Sequence, residues 1–278
     1  MRIIGHRGTP TTDAYPENTL PALRAALQAG ADGVEVDVRA TRDGVLVLSH
    51  DPDLGRVLGL GFGAGPVVAD SPWRHLRDLP LPHATTVPRL ADAFDLVAAY
   101  GALVVTEVKA DTEPLGLRSA SLLAALLARR RASVVDRVTT SSFDLSVAGV
   151  LAGTGTVGGG VILEPSVDPY PAALRARAHG LTELHLSAEH VHADPTIVRR
   201  VHALGLSVAA GIVDDVEEAR WLAHLGVDIL CTDAPGALVP AMVRMSARPE
   251  AVLPTVGWTE TRPATRRDGG LVRRARRL

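Results

Sequence analysis

Short apolar runs alternate with helical hydrophobic patterns along most of the 278-residue chain. The runs are rich in Val, Ile and Leu, which is typical of strands buried on both faces. They predict strands at Arg2–Gly5, Val34–Val38, Val45–Ser49, Leu103–Val108, Arg137–Ser141, Val157–Leu163, Glu183–Leu186, Ser207–Val213 and Asp228–Cys231. The intervening patterns predict helices at Thr19–Ala29, Leu90–Tyr100, Leu117–Arg131, Leu145–Leu151, Tyr170–His179, Asp194–Leu204, Asp214–Leu225 and Pro235–Met245. Repeated strand–helix units predict a parallel sheet, and about eight of them favour a closed (β/α)8 TIM barrel over an open doubly wound sheet.

Residues typical of helix ends and turns support these boundaries. Asn18 precedes the first helix and Gly30 follows it, while Asp194-Pro195 opens a later helix that Gly205 closes. Asp43-Gly44 lies between two strand-like runs and predicts a hairpin there. We therefore expect the strand before this turn and the strand after it to pair with each other.

Two stretches interrupt the strand–helix rhythm. Residues 51–88 carry many Gly and Pro residues without clear periodicity, so we expect an irregular insertion in a single barrel domain over residues 1–246. Residues 247–278 form a basic tail, which we expect to be loosely ordered and solvated, although anionic lipid or nucleic acid is an alternative partner. Its arginines are Arg248, Arg262, Arg266, Arg267, Arg273, Arg274, Arg276 and Arg277.

Two glycine-rich runs could be mistaken for phosphate cradles. Neither Gly59–Gly65 nor Gly153–Gly160 fits the GxGxxG pattern at a strand-to-helix turn, and the chain has no GxxxxGK[ST] motif. We interpret the first run as a flexible loop and the second as a helix-to-strand connection.

Composition narrows the class of protein. The net charge of −2 argues against a nucleic-acid-binding surface on the globular part, and aromatic residues make up only 3% of a chain that is 46% hydrophobic. The single cysteine, Cys231, excludes an internal disulfide and suits a reducing compartment. No signal-peptide pattern or apolar run of membrane-spanning length is apparent, so we expect a cytoplasmic protein without stable membrane insertion.

Charged residues collect at predicted strand ends. Glu35 and Asp37 are two residues apart in one strand and share a face, and Glu107 and Lys109 do the same in another. Neighbouring carboxylates among valines repel unless a cation lies between them. Three carboxylate ligands favour one divalent cation, Mg²⁺ or Ca²⁺. Every one of the 29 basic residues is an arginine except Lys109, which indicates a specific role for that ammonium.

The remaining strand ends add cations and imidazoles. His6 and Arg7 follow the first strand, and His50 ends the hairpin strand. Because barrel active sites lie at the carboxyl ends of the strands, we expect all these side chains at one mouth. Arg7 and Lys109 suit an anionic group such as phosphate, and His6 and His50 can serve as base and acid. A metal, two cations and a histidine pair together favour phosphoester cleavage.

Each residue also has a purely structural alternative. Glu107 and Lys109 could form a mutual salt bridge, and Glu35 and Asp37 could pair with arginines nearby in sequence, Arg39 or Arg42. His190 and His192 have a metal-ligand spacing, but we place them in a loop without a third ligand and expect no site. Glu164 follows a strand and could line the mouth, with the structural alternative equally open.

The motifs together resemble one family, the glycerophosphodiester phosphodiesterases, over about Ile3 to Pro235. The segments that carry the resemblance are His6-Arg7-Gly8, Pro16-Glu17-Asn18-Thr19, Gly30-Ala31-Asp32, Glu35-x-Asp37-Val38, Thr41-x-Asp43-Gly44, His50-Asp51, Glu107-Val108-Lys109, Ser142-Phe143-Asp144 and Thr232-Asp233-x-Pro235. The run from His6 to Asp51 is the most specific.

The resemblance implies a TIM barrel that hydrolyses glycerophosphodiesters to glycerol 3-phosphate and an alcohol. It implies metal ligation by Glu35, Asp37 and Glu107, acid–base catalysis by His6 and His50, and phosphate binding by Arg7 and Lys109. The implied route begins with attack of the glycerol 2-hydroxyl on phosphorus, and water then opens the cyclic phosphate.

Two departures from the family pattern concern the pocket. Gly211 stands where members often carry Trp, so the resemblance does not determine which headgroup the substrate carries. The run from Arg56 to Gly59 also differs from the family pattern. A lysophospholipase D-type activity is one alternative, with Gly211 and Phe62 widening an apolar entry. A non-catalytic barrel that binds an anionic metabolite is another, although binding alone does not require two histidines.

Overall fold

The computed structural model describes residues 1–10, 14–154, 156 and 158–246. Eight parallel strands close into a barrel, because the first strand pairs with both the second and the last. This confirms the predicted TIM barrel. The strands are β1 (Arg2–Gly5), β2 (Gly33–Ala40), β3 (Leu46–Leu48), β4 (Leu103–Val108), β5 (Val138–Ser142), β6 (Gly158–Ile162), β7 (Glu183–Leu186), β8 (Ser207–Ala210) and β9 (Ile229–Thr232).

One additional strand, β3, lies outside the ring. β3 pairs antiparallel with β2 across the turn at Asp43-Gly44, as the hairpin signal predicts. Its short length and its position at the rim bring His50 back beside the carboxyl end of β2.

The insertion after β3 has a small apolar core of its own. It contains a short helix, α2 (Trp73–Leu76), and one 3₁₀ turn, Pro82–Ala84. The glycine-rich loop 59–65 is anchored by Asp53, whose carboxylate accepts N–H groups from Gly63 at 3.1 Å and Gly65 at 3.3 Å. These amides are therefore committed to Asp53. The buried side chains are Val47, Leu54, Val68, Leu76, Leu81 and Val87.

Helices surround the ring, with several boundaries that differ from the predictions. They are α1 (Leu20–Gln28), α2, α3 (Leu90–Tyr100), α4 (Glu113–Leu127), α5 (Ala132–Val135), α6 (Leu145–Ala152), α7 (Pro169–Ala178), α8 (Ala188–Ala193), α9 (Ile197–His202), α10 (Val216–Leu225) and α11 (Pro235–Ser246). α4 begins four residues before the predicted Leu117, because Pro114 is already fixed in a helical conformation in its first turn. The helix also ends at Leu127, four residues before the predicted Arg131, so the predicted segment is wrong at both ends.

Two expected N-caps are also wrong. Thr19 caps α1 by accepting the N–H of Ala22, which frees Asn18 for another contact. Asp194 binds the hydroxyl and N–H of Thr196 in a local turn, so α9 begins only at Ile197. Short polar side chains compete for nearby backbone groups, and sequence spacing alone does not choose between them.

The main core lies between the ring and its helices, where alternate strand residues point outward. A smaller cluster of Ile4, Val105, Ala209 and Ile229 fills the interior of the barrel. It forms a floor below the carboxyl ends of the strands. None of the helices in the described part of the chain is both long and apolar enough to cross a membrane. The basic tail, residues 247–278, lies outside the described residues.

Candidate active site

Three carboxylates meet inside the barrel mouth. Glu35 and Asp37 point inward from β2, and β4 places Glu107 in register with Asp37. One oxygen from each of the three lies within 4.8 Å of the others, and all three residues are buried. Glu35 Oε1 has no hydrogen-bond partner among the described residues. A buried carboxylate oxygen without a hydrogen-bond partner, beside two further carboxylates, fits a hard divalent cation.

Two cations contact the same carboxylates. Lys109 Nζ lies 2.8 Å from Asp37 and 2.5 Å from Glu107, and Arg7 Nε lies 3.0 Å from Asp37. The mutual Glu107–Lys109 salt bridge therefore exists. The expected alternative pairing with Arg39 or Arg42 does not appear among the ion pairs of the described residues, since Arg39 binds Asp111 instead.

The charges separate the three carboxyl pKa values. Burial and the neighbouring charge of Asp37 raise the pKa of Glu35 to about 8. Burial opposes ionisation of Asp37 as well, but Lys109 and Arg7 outweigh it and lower the Asp37 pKa to about 2. Burial and Asp37 also raise the pKa of Glu107. Asp37 is thus the fixed negative charge of the cluster, whereas Glu35 holds its proton at neutral pH.

Each of the two histidines is held by a carboxylate. His6 donates from Nδ1 to Asp233 at 2.6 Å, and His50 donates from Nδ1 to Asp51 at 2.7 Å. Burial lowers the pKa of His6, but its interactions with the surrounding carboxyl groups, first of all the hydrogen bond to Asp233, outweigh burial, so the pKa is raised. This arrangement fixes both tautomers and leaves Nε2 of each ring for chemistry.

Further polar residues hold these groups in place. Asn18 donates to Asp37 Oδ2 at 2.7 Å and accepts the N–H of Asp37 at 3.1 Å. Arg39 donates to the carbonyl oxygen of His50, which fixes the hairpin end. Glu17 bridges Arg7 and Arg56, and thereby joins the first strand end to the insertion.

The site opens into a cavity of about 320 Å³, which is large enough for a small phosphodiester. His6, Arg7, Glu35, His50, Glu107 and Lys109 line it, whereas Asp37 lies fully buried behind them. The mouth therefore brings together all seven residues that the sequence predicts for the site.

The other walls of the cavity are more apolar. Ile162, Ala209 and Ile212 line it together with Glu164, for which sequence left both alternatives open. Gly211 is also a wall residue, and a Cβ there would lie 2.8 Å from the Cβ of Cys231. Phe62 is absent from the described lining and its exposed ring lies near Arg56, so the lining does not support the widening that the lysophospholipase D alternative assigns to it.

Some polar residues here received no role from the sequence, although Asp233 and Asn18 belong to motifs that carry the family resemblance. Asp233 directly follows β9, so the rule that located His6 could have found it, whereas Asn18 lies just before α1 and not at a strand end. Glu183 and His185 are two apart on β7, as Glu35 and Asp37 are on β2, and both point into the barrel. That spacing was the available signal for this second pair.

His190 and His192 lie on α8, so their predicted loop placement is wrong. His190 completes a capping box with Ser187 and also contacts the carbonyl of Val167 at 3.0 Å. His192 pairs with Glu218 and stacks on Trp221. Each of the two imidazole rings thus has its own structural partners, and these contacts account for both side chains.

Comparisons with known proteins give a consistent result. Residues 6–237 match the model of the glycerophosphoryl diester phosphodiesterase family. The chain is 28% identical over 247 residues to the glycerophosphodiester phosphodiesterase of Caldanaerobacter subterraneus subsp. tengcongensis, covering 85% of this chain and 96% of that protein. It is 30% identical over 262 residues to the probable glycerophosphodiester phosphodiesterase 1 of Mycobacterium tuberculosis, covering 84% and 89%.

One of the similar solved structures contains a bound ligand. The chain resembles an Oleispira antarctica phosphodiesterase in complex with the product sn-glycerol-3-phosphate, with a TM-score of 0.75 and 26% identity. The likeness covers 87% of this chain and 97% of that chain.

Proposed function

The chain belongs to the glycerophosphoryl diester phosphodiesterase family, and from this premise we propose how its own residues carry out the reaction. The family activity is hydrolysis of glycerophosphodiesters, and this chain is a phosphoric diester hydrolase of that class. We place the activity in a single barrel domain over residues 1–246 that includes the insertion 51–88. The lysophospholipase D-type and non-catalytic alternatives are not favoured.

The observation that carries the proposal is the pair of histidines beside the carboxylate cluster. His6 and His50 each have Nδ1 bound to a carboxylate, so each presents Nε2 for proton transfer. His6 Nε2 lies 3.9 Å from Glu35, which puts the ring at the edge of the cluster. One histidine takes the proton of the attacking hydroxyl and the other protonates the leaving alcohol; the roles then reverse when water opens the cyclic phosphate.

Arg7 and Lys109 bind the phosphate in this proposal. Both cations line the cavity, and both are already fixed by Asp37. Lys109 has three N–H donors and Arg7 has five, so each retains donors for phosphate oxygens while remaining paired. Preorganised cations of this kind stabilise the charge that develops on phosphorus oxygens in the transition state.

Glu35, Asp37 and Glu107 are the proposed metal ligands. Three carboxylates with one orphan oxygen fit a divalent cation, and we propose Mg²⁺ or Ca²⁺ because all three donors are oxygen. A bound cation would supply Lewis-acid stabilisation of the phosphate charge.

The remaining proposals concern partners and location. The substrate is a small glycerophosphodiester, and a net charge of −2 supports the absence of a nucleic-acid partner. Gly211 leaves room beside the mouth for the leaving alcohol. A cytoplasmic location is consistent with the single, unpaired Cys231.

Hydrolysis of glycerophosphocholine tests the proposal. Wild-type protein should release glycerol 3-phosphate, lose activity in EDTA and regain it with Mg²⁺ or Ca²⁺. His6→Ala and His50→Ala should each lower kcat by about 10²–10⁴-fold, with circular dichroism unchanged. His192→Ala is the matched control, because this imidazole also pairs with a carboxylate but lies on the surface. Wild-type turnover in both active-site variants would refute the assigned roles.

A further inference from the structure

Two glycines of the second glycine-rich run make room for a buried polar pair. Gly158 and Gly160 lie in β6 beside Glu183 and His185 of β7. A Cβ on Gly158 would lie 2.1 Å from Glu183 Oε1, and one on Gly160 would lie 2.6 Å from His185 Nε2. The run is thus more than a connection between elements, since any larger residue at these positions would displace the pair.

Hydrogen bonds fix the orientation of the imidazole. Thr139 donates its hydroxyl to Glu183 Oε1 at 3.0 Å, and His185 Nε2 lies 3.0 Å from Glu183 Oε2. Because an ionised carboxylate only accepts, Nε2 carries the proton. In the neutral ring this leaves Nδ1 as an acceptor, and Nδ1 has no hydrogen-bond partner in the described part of the chain.

His185 also lines the catalytic cavity, although only 13% of its side chain is exposed. Its register neighbours on the adjoining strands are Ile162 and Ala209. Among the described residues of β6, β7 and β8, His185 is the only cavity-lining side chain with polar atoms, and the other polar lining residues on this side are Glu164 and Ser187, in the loops that follow β6 and β7. A positioned acceptor in a largely apolar wall is the arrangement that selects for a substrate hydroxyl.

We propose that His185 is a specificity-determining residue, whose Nδ1 accepts a hydrogen bond from the terminal hydroxyl of the substrate glycerol. This inference rests on the proposed function. The glycerol 2-hydroxyl is the nucleophile and must lie at the phosphate, beside the carboxylates and cations of β1, β2 and β4. The terminal hydroxyl extends from the adjacent carbon and needs a partner away from that cluster.

Glu183 is a positioning residue in this arrangement. It acts through the imidazole by holding Nε2–H, and Thr139 in turn holds Glu183. A site built to bind a hydroxyl rejects an analogue that lacks it, because the buried polar group is then left unpaired. Discrimination between two such substrates therefore measures the contact directly.

The test compares glycerophosphocholine with 2-hydroxypropyl phosphocholine, which keeps the nucleophilic hydroxyl but lacks the terminal one. Wild type should favour glycerophosphocholine by about 10–100-fold in kcat/KM. His185→Leu should bring this ratio close to one. His185→Asn places an amide near the Nδ1 position and should retain part of the preference. Glu183→Gln should lower the ratio less than His185→Leu does.

His192→Leu is the control for loss of an imidazole–carboxylate pair and should keep the wild-type ratio. A His185→Leu ratio equal to that of wild type would overturn the proposal. Should that variant fail to fold, as judged by thermal melting, a wild-type ratio close to one would overturn the proposal equally.

Product binding separates this proposal from the proposed function. Calorimetry with glycerol 3-phosphate and 2-hydroxypropyl phosphate needs no turnover, and wild type should bind the first about tenfold or more tightly. No hydrolysis of either diester at any concentration of Mg²⁺ or Ca²⁺ would refute the proposed function. Equal affinity for the two phosphates would refute the role of His185, whether or not turnover occurs.

Discussion

Metal binding should release a proton from Glu35. The pKa of this carboxyl is raised to about 8 by burial and by the charge of Asp37, so the group is protonated in the metal-free protein at neutral pH. A carboxylate must lose its proton to ligate a cation, and affinity therefore rises with pH until Glu35 ionises by itself.

The magnitude follows from the pKa. With a value of about 8, Glu35 is about 90% protonated at pH 7 and about 10% protonated at pH 9. Binding at pH 7 should thus release about 0.9 proton from this residue, and at pH 9 about 0.1. Apparent affinity should rise about 50-fold between pH 6 and pH 8, which corresponds to about 2 kcal/mol.

Titration calorimetry with Mg²⁺ or Ca²⁺ in buffers of different ionisation enthalpy measures the released protons. The carboxyl itself can be followed by ¹³C NMR of glutamate-labelled, metal-free protein, where one signal should titrate near pH 8. Glu35→Gln should remove that signal and is the matched control. The reasoning is refuted if no glutamate titrates above pH 7, or if metal binding at pH 7 releases no proton.

Two further predictions concern groups that position the site. Asp233→Asn removes the carboxylate that holds His6, and because that carboxylate raises the pKa of His6, the pKa should fall in the variant. We therefore expect kcat/KM to fall by about 10²-fold and the limb of the pH–rate profile that reports His6 to move to lower pH. An unshifted profile would contradict this role. Gly160→Ala should displace His185 and destabilise the fold by about 1–3 kcal/mol in urea unfolding. Gly159→Ala is the control, because its Cβ would approach no atom closer than 3.5 Å, and equal losses in the two variants would count against the packing argument.

Local sequence determined the elements and much of the site. Strand and helix periods depend on side chains a few residues apart, so the order of the units, and with it the barrel, was predictable. The inward pairs Glu35 with Asp37 and Glu107 with Lys109 followed from the two-residue period of a strand. Boundaries were less certain, because Thr19 and Asn18 are both competent caps and only the fold assigns one to α1 and the other to Asp37.

Tertiary structure alone decided the contacts between distant strands. Asp233 meets His6 only because β9 closes the ring against β1, which joins residues 227 positions apart. The space for Glu183 and His185 exists only because the neighbouring strand β6 carries Gly158 and Gly160, where any Cβ would collide with these two side chains. Such contacts depend on closure and register, which no local pattern encodes, and they set the tautomers and pKa values on which the chemistry of the predicted residues depends.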